Sequence, residues 1–151
     1  AEPIVITTFN RDENTKSGTI KNIRFFNVTA KGENGVLIHG NEDNIIENVT
    51  FENCSIELTK TSKWQCGLYD LRPCLDYGVE SYDNSAFFIR YAKDVNIRKT
   101  KTRWGNLCDS YSYAIDAANV ENLNLYEFDG KSAKENTDDI KIDRVKLNYK
   151  K

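Results

Sequence analysis

The amino-acid sequence predicts an all-β chain: a right-handed, single-stranded parallel β-helix of about five coils with two loop insertions. Three observations carry that expectation. A six-residue motif, apolar-x-Asn-apolar-x-apolar, recurs through the chain. A second strand-like segment precedes several of its copies. Helical stripes at i, i+3 and i+4 with caps are absent over useful lengths.

The motif opens as Ile-Lys-Asn-Ile-Arg-Phe at 20–25. It returns as Ile-Glu-Asn-Val-Thr-Phe at 46–51, Ala-Lys-Asp-Val-Asn-Ile at 92–97 and Val-Glu-Asn-Leu-Asn-Leu at 120–125. A fifth copy, Ile-Asp-Arg-Val-Lys-Leu at 142–147, carries Arg144 in the Asn position. The closing apolar residues at 25, 51, 97, 125 and 147 are 26, 46, 28 and 22 apart. Because 46 is twice 23, one blurred copy is expected near 59–85. The preceding strand-like segments are 35–40, 86–91 and 113–117. Leucine-rich repeats share this period, but their fixed leucine positions are missing.

Stacking explains the motif. Coils lie ~4.8 Å apart, so equivalent residues form columns. Ile23, Phe25, Val49, Phe51, Val95, Ile97, Leu123 and Leu125 are expected to point inward. Asn22, Asn48, Asp94 and Asn122 suit an inward amide ladder at a bend, with Asn27 and Asn53 in a second column. Lys150 and Lys151 are placed to blunt the last edge.

Composition narrows the classes. The 151 residues suffice for one core-forming segment, read as a single unit over 1–151 with 59–85 as an insertion. Basic residues number 21 against 23 acidic, so nothing drives the chain toward nucleic acid or an anionic membrane. No apolar run approaches the ~20 residues of a membrane span. The chain opens Ala1-Glu2-Pro3 without Met, as expected of a mature or truncated polypeptide. Cys54, Cys66, Cys74 and Cys108 fit no zinc spacing, and neither metal nor cofactor is expected. Cys66 and Cys74 are spaced to bridge a loop or to remain reduced, and Cys54 reads as a buried small apolar residue.

The insertion carries the candidate binding residues. Trp64 and Tyr69 offer flat faces for sugar rings, as does Tyr77, and Asp70 and Arg72 can fix hydroxyls or a carboxylate. The competing reading folds the loop back on the wall, with Arg72 paired to Asp70 or Asp76. A second interruption, 100–113, adds Trp104. Arg98, Lys99 and Lys101 before and within it either attract a polyanionic glycan or line a solvated outer strand.

Pro-Ile-Val-Ile at 3–6, followed by 20–29, resembles the C-terminal coils of glycoside hydrolase family 28, the polygalacturonase-like enzymes. Gly-Leu-Tyr-Asp-Leu-Arg-Pro-Cys at 67–74 is similar to a loop of bacterial members, as is 113–117 leading into Val-Glu-Asn. The resemblance covers nearly the whole chain. It implies a secreted or periplasmic enzyme that hydrolyses pectic polysaccharide with inversion, using an acid and a base on opposite sides of the bond.

The catalytic elements of that family are not matched. His39 sits in Ile-His-Gly rather than Gly-His-Gly, and Arg144-Val145-Lys146 belongs to the last repeat copy. Asn136-Thr137-Asp138-Asp139 reads as a polar turn before the last strand. Phe9 falls near a position where the family often keeps a substrate-facing Tyr. The chain is therefore expected to be the portion after the catalytic coils, with its aspartates on a missing N-terminal part. The alternative is a non-catalytic glycan-binding or structural β-helix. A lyase would need a calcium-type carboxylate cluster, for which only Asp138, Asp139 and Asp143 stand close in sequence.

Overall fold

The computed structural model describes residues 2–150; Ala1 and Lys151, the latter expected to blunt the last edge, lie outside them. The described residues hold strands and no helix. In chain order the strands are β1 (Ile4–Thr7), β2 (Lys21–Phe26), β3 (Thr29–Gly32), β4 (Val36–His39), β5 (Ile46–Glu52) and β6 (Ser55–Leu58). They continue as β7 (Leu68–Asp70), β8 (Val79–Ser81), β9 (Phe87–Arg98), β10 (Lys101–Trp104), β11 (Ile115–Tyr126) and β12 (Ile140–Lys150).

Pairing between these strands is parallel, except for the antiparallel hairpin of β7 and β8. One wall runs β1-β4-β9-β11-β12, a second wall joins β2 and β5 to the later half of β9, and a third runs β3-β6-β10. The long strands β9 and β11 thus serve two walls each, their first halves continuing β4 and their second halves β5.

Two register findings revise the sequence reading. Phe51 lies directly beside Ile97, so no blurred copy separates them. The doubled spacing is one level lengthened by the insertion at 59–85. In the last strand, Val145 pairs with Val120, while Leu147 pairs with Leu123 and Tyr149 with Leu125, so the fifth copy is offset by three and then two residues. The offset falls from three residues to two at the register shift between Val120 and Leu123. It moves Arg144 out of the expected Asn column and beside Asn119, whose Oδ1 accepts from its Nε at 2.6 Å.

The predicted core is present. Val49, Phe51, Val95, Ile97, Leu123 and Leu125 are buried, and the Phe25 ring stacks on Phe51 at 4.6 Å. Burying a side chain such as Phe51 contributes roughly 1.5–3 kcal/mol. Ile23 and Phe25 are only half-buried because β2 is the outermost strand of its wall. Cys54 is buried, as its apolar context predicts.

The amide ladder exists but faces outward. Asn48 donates to Asn22 at 2.7 Å and Asn122 to Asp94 at 2.8 Å, on exposed or half-exposed side chains. All four residues have left-handed backbone, with φ between 52 and 63°. Such a residue adds a step to the in-out alternation of a strand. Ile46 and Val49 are both in the core, and Glu47 and Asn48 both lie outside. Asn accepts this conformation because its short amide bonds locally. Asn53 donates to Asn27 at 2.7 Å in the second column, where Lys99 and Glu127 continue the left-handed backbone. A third left-handed column holds Tyr91, Asn119 and Arg144.

Candidate functional site

Outward residues of the first wall form two rows. Val5, Leu37, Phe88, Asp116 and Lys141 share one, and Thr7, His39, Arg90, Ala118 and Asp143 the other. The β7–β8 hairpin folds over this face. Tyr69 and Leu71 pack on Leu37 and Phe88, with the Tyr69 ring 4.9 Å from that of Phe88. The insertion is therefore a cover for part of the wall.

Its anchors are polar, and two of them, Asn34 and Asn84, are buried. Asn84, fully buried, accepts from the Gly67 amide at 2.8 Å and from the Ser110 hydroxyl at 2.6 Å. Its own amide donates to Asn34 at 2.7 Å. Gly67 has φ +81°, a left-handed entry into the hairpin that a side chain would strain. Glu33 accepts from the hydroxyl and amide of Thr61, from Ser62 and from Lys60. These bonds, the Thr61 hydroxyl foremost, hold its carboxyl well below the usual range. Cys66 is bridged to Cys108, not to Cys74 as the sequence spacing suggested; Cys74 is free. Only the fold brings residues 42 apart in sequence together here, which local spacing does not reveal.

Each predicted binding residue now has a place. Trp64 is 72% exposed beside the Glu33 anchor, with Lys63 Nζ 5.5 Å from its ring centroid. Tyr69 is 1% exposed, so its expected role as a sugar platform does not survive; its ring fills the space under the hairpin. Burial pushes its hydroxyl up to about 12. Asp70 and Arg72 pair with each other through two bonds of 2.8 and 2.7 Å. That pairing, with the Arg72 backbone amide, lowers Asp70 to about 2. Trp104 lies half-buried over Tyr111, and its indole N–H donates to the Lys131 carbonyl. No hydrogen bond, ion pair or ring contact joins these groups into one site among the described residues, apart from the Asp70–Arg72 pair.

The face itself assembles a cluster that sequence spacing does not reveal. Asp116, its side chain 4% exposed, lies 2.8 Å from Arg90 and 3.3 Å from Lys141. Arg90 also donates to the Asp116 and Ile89 carbonyls and lies 3.8 Å over the Phe88 ring. Lys141 stands 5.2 Å over Tyr113. The signal in sequence is faint: Arg90, Asp116 and Lys141 are outward residues of three different repeats, and only the register unites them.

His39 is buried beside this cluster among Phe9, Tyr77, Phe88 and Tyr91. Phe9, placed by sequence near a substrate contact, stacks edge-on to it at 4.9 Å. The Gly40 carbonyl can only accept, so Nδ1 donates to it at 2.7 Å and Nε2 is the acceptor in neutral imidazole. Burial, and then the nearby Arg90 charge, pulls its pKa down against the pull of that hydrogen bond.

Three carboxylates on and beside this face are paired with cations. Inverting glycoside hydrolysis needs two carboxyls roughly 6.5–9.5 Å apart, one protonated and one free to activate water. Asp116 is held between two cations, Asp70 by Arg72, and Asp143 pairs with Arg144 at 3.0 Å. The described residues contain no group of three or more metal-binding side chains, so the Asp138, Asp139 and Asp143 set does not converge. No described helix is long and apolar enough to cross a membrane. Comparison of the chain with family models, with curated proteins and with solved structures found no match to any of them.

Proposed function

We propose that this chain is a segment of about five coils from a right-handed, single-stranded parallel β-helix. In this reading it is the C-terminal portion of a pectin-type, polygalacturonase-like inverting glycosidase, whose catalytic aspartates stand on preceding coils. The segment contributes acidic-glycan binding and does not cleave the polymer by itself. Support for the coil reading comes from the parallel register of the three walls and from the three left-handed columns at their corners. The right hand follows from the strong preference of parallel crossover connections. The Cys66–Cys108 bridge favours an oxidising compartment, secreted or periplasmic.

The observation that carries the binding reading is the Arg90–Asp116–Lys141 cluster. Two cations around one carboxylate give this cluster one net positive charge; Tyr113 lies beside Lys141, and Tyr77 and Tyr91 beside His39, with Glu42 accepting from the Tyr91 hydroxyl. Aromatic rings receive the C–H faces of sugars, and the excess charge receives a uronate carboxylate. A non-catalytic glycan-binding or structural module is the second reading, favoured by the way Asp70 and Arg72 satisfy each other. Aspartate motifs encoded upstream of Ala1 in the parent gene decide between the two.

Electrophoresis through a gel containing polygalacturonate tests the binding. The wild-type chain should be retarded, and Lys141→Glu should lose most of that retardation. Lys141 is half-exposed, so the variant leaves the buried Arg90–Asp116 pair in place. Equal mobility with and without the polymer, or retardation unchanged in Lys141→Glu, contradicts the reading.

A further inference from the structure

One margin of the second wall's outer face is rich in cations. In other places exposed charges of opposite sign face each other from level to level. Lys21, Glu47, Lys93 and Glu121 lie in register, and Lys93 meets Glu121 at 3.2 Å. On the third wall Lys31 meets Glu57 at 2.7 Å, and Arg103 meets Asp129. Around the C-terminal ends of β9 and β12 cations predominate: Arg98, Lys99 and Lys150 stand against Glu52, which lies in register with Arg98. Arg98 and Lys99 are exposed and make no ion pair among the described residues.

Beside them runs a third amide ladder that the repeat motif did not single out. Asn148 donates to Asn124 at 2.8 Å, and Asn124 to Asn96 at 3.1 Å. Each amide nitrogen has two hydrogens, and the ladder uses one. The second is left for another acceptor. Tyr126, 43% exposed, stands in register with Arg98 and completes the wall of a groove of about 740 Å³. Glu52 supplies the acid at one end.

We propose that this groove binds a linear acidic oligosaccharide running along the stacking direction. The site is rich in donors and poor in acceptors, which suits a ligand of hydroxyls and carboxylates. Successive amides repeat at the ~4.8 Å spacing of the strands, close to the length of one pyranose residue. Arg98 and Lys99 take carboxylates as charge-assisted acceptors. The Tyr126 ring takes a sugar face. The groove lies on a different wall from the Arg90–Asp116–Lys141 face, so it is a second site. Its choice of a sugar over other polyanions rests on the function proposed above; its donor chemistry does not.

The test titrates ¹⁵N-labelled protein with an α-1,4-linked galacturonate trimer and with the fully methyl-esterified trimer, which keeps the skeleton and loses the charge. The acidic trimer should shift the side-chain amides of Asn96, Asn124 and Asn148. Arg98→Glu should weaken that response roughly tenfold or more. Arg103→Ala, on the neutralised wall, should leave it unchanged and report that the fold tolerates such exposed changes. Binding that leaves these amides unmoved, or that persists in Arg98→Glu, overturns the groove while keeping the glycan reading. Absence of binding anywhere overturns both. Equal binding of the esterified trimer removes the role of the cations and overturns the proposal. So does a single-stranded oligonucleotide that shifts these amides where the trimer does not.

Discussion

A left-handed corner is inexpensive for Asn and costly for other side chains, and this chain shows both cases in one column. Asn27 and Asn53 sit at φ 57 and 53°, while Lys99 and Glu127 hold φ 45 and 49° at the equivalent corners. A left-handed backbone costs a side chain without local amide bonding roughly 1–2 kcal/mol. Glu127→Asn should therefore stabilise the fold by about 1 kcal/mol. It is exposed, and nothing in the core changes with it. Denaturant unfolding measures the shift; a loss of stability would mean that Glu127 contributes a contact stronger than its backbone strain. The Asn corners were legible because Asn recurs at fixed offsets from the apolar positions. Those at Tyr91, Lys99, Glu127 and Arg144 were not, because no residue type announces them. The outward direction of the ladder was also hidden, since it depends on the extra step that a left-handed residue adds.

The hairpin of β7 and β8 is the element whose place sequence reasoning resolved least. Its aromatic residues looked like a binding surface because exposed and buried rings have the same composition. Tyr69 faces Phe88 and Tyr82, and only Trp64 of the predicted stacking residues is largely exposed. The anchors that fold it back, Asn34, Asn84 and Ser110, come from three separate stretches of chain. The pH dependence follows from Tyr69. Its folded pKa is raised from 10.0 to about 12, so the unfolded chain loses its proton first as pH rises. The stabilisation is complete below pH 10.0 and is lost on the way to about 12. Tyr69 fluorescence and unfolding followed through that window should show the hairpin loosening, with the loss reduced in Tyr69→Phe. A flat stability profile, or an equal loss in Tyr69→Phe, would contradict the docked hairpin.

At the scale of the whole chain, the two outer edges are unlike. The β12 edge carries Lys141, Arg144, Lys146 and Lys150, cations that discourage another strand. The β1 and β2 edge exposes Val5 and Phe26, each more than half exposed, beside half-buried Ile23 and Phe25. An apolar strand edge invites pairing, so the isolated chain should self-associate through it or accept a segment that adds another level. Sedimentation should show a concentration-dependent dimer that Phe26→Lys suppresses; a monomer at all concentrations, or a dimer that Phe26→Lys leaves intact, would contradict this. The parallel all-β character and most of the core were readable because apolar periodicity survives in each repeat. The Arg90–Asp116–Lys141 cluster was not, because its members meet only through the register of β9, β11 and β12. The central proposal is that the chain binds acidic glycan without cleaving it, with Asp70, Asp116 and Asp143 each paired to cations. Reducing-sugar release from polygalacturonate and rhamnogalacturonan by the purified chain tests it most directly. The expected result is no release above the protein-free control, and turnover that disappears in Asp70→Asn or Asp116→Asn would contradict it by placing an active site in this segment.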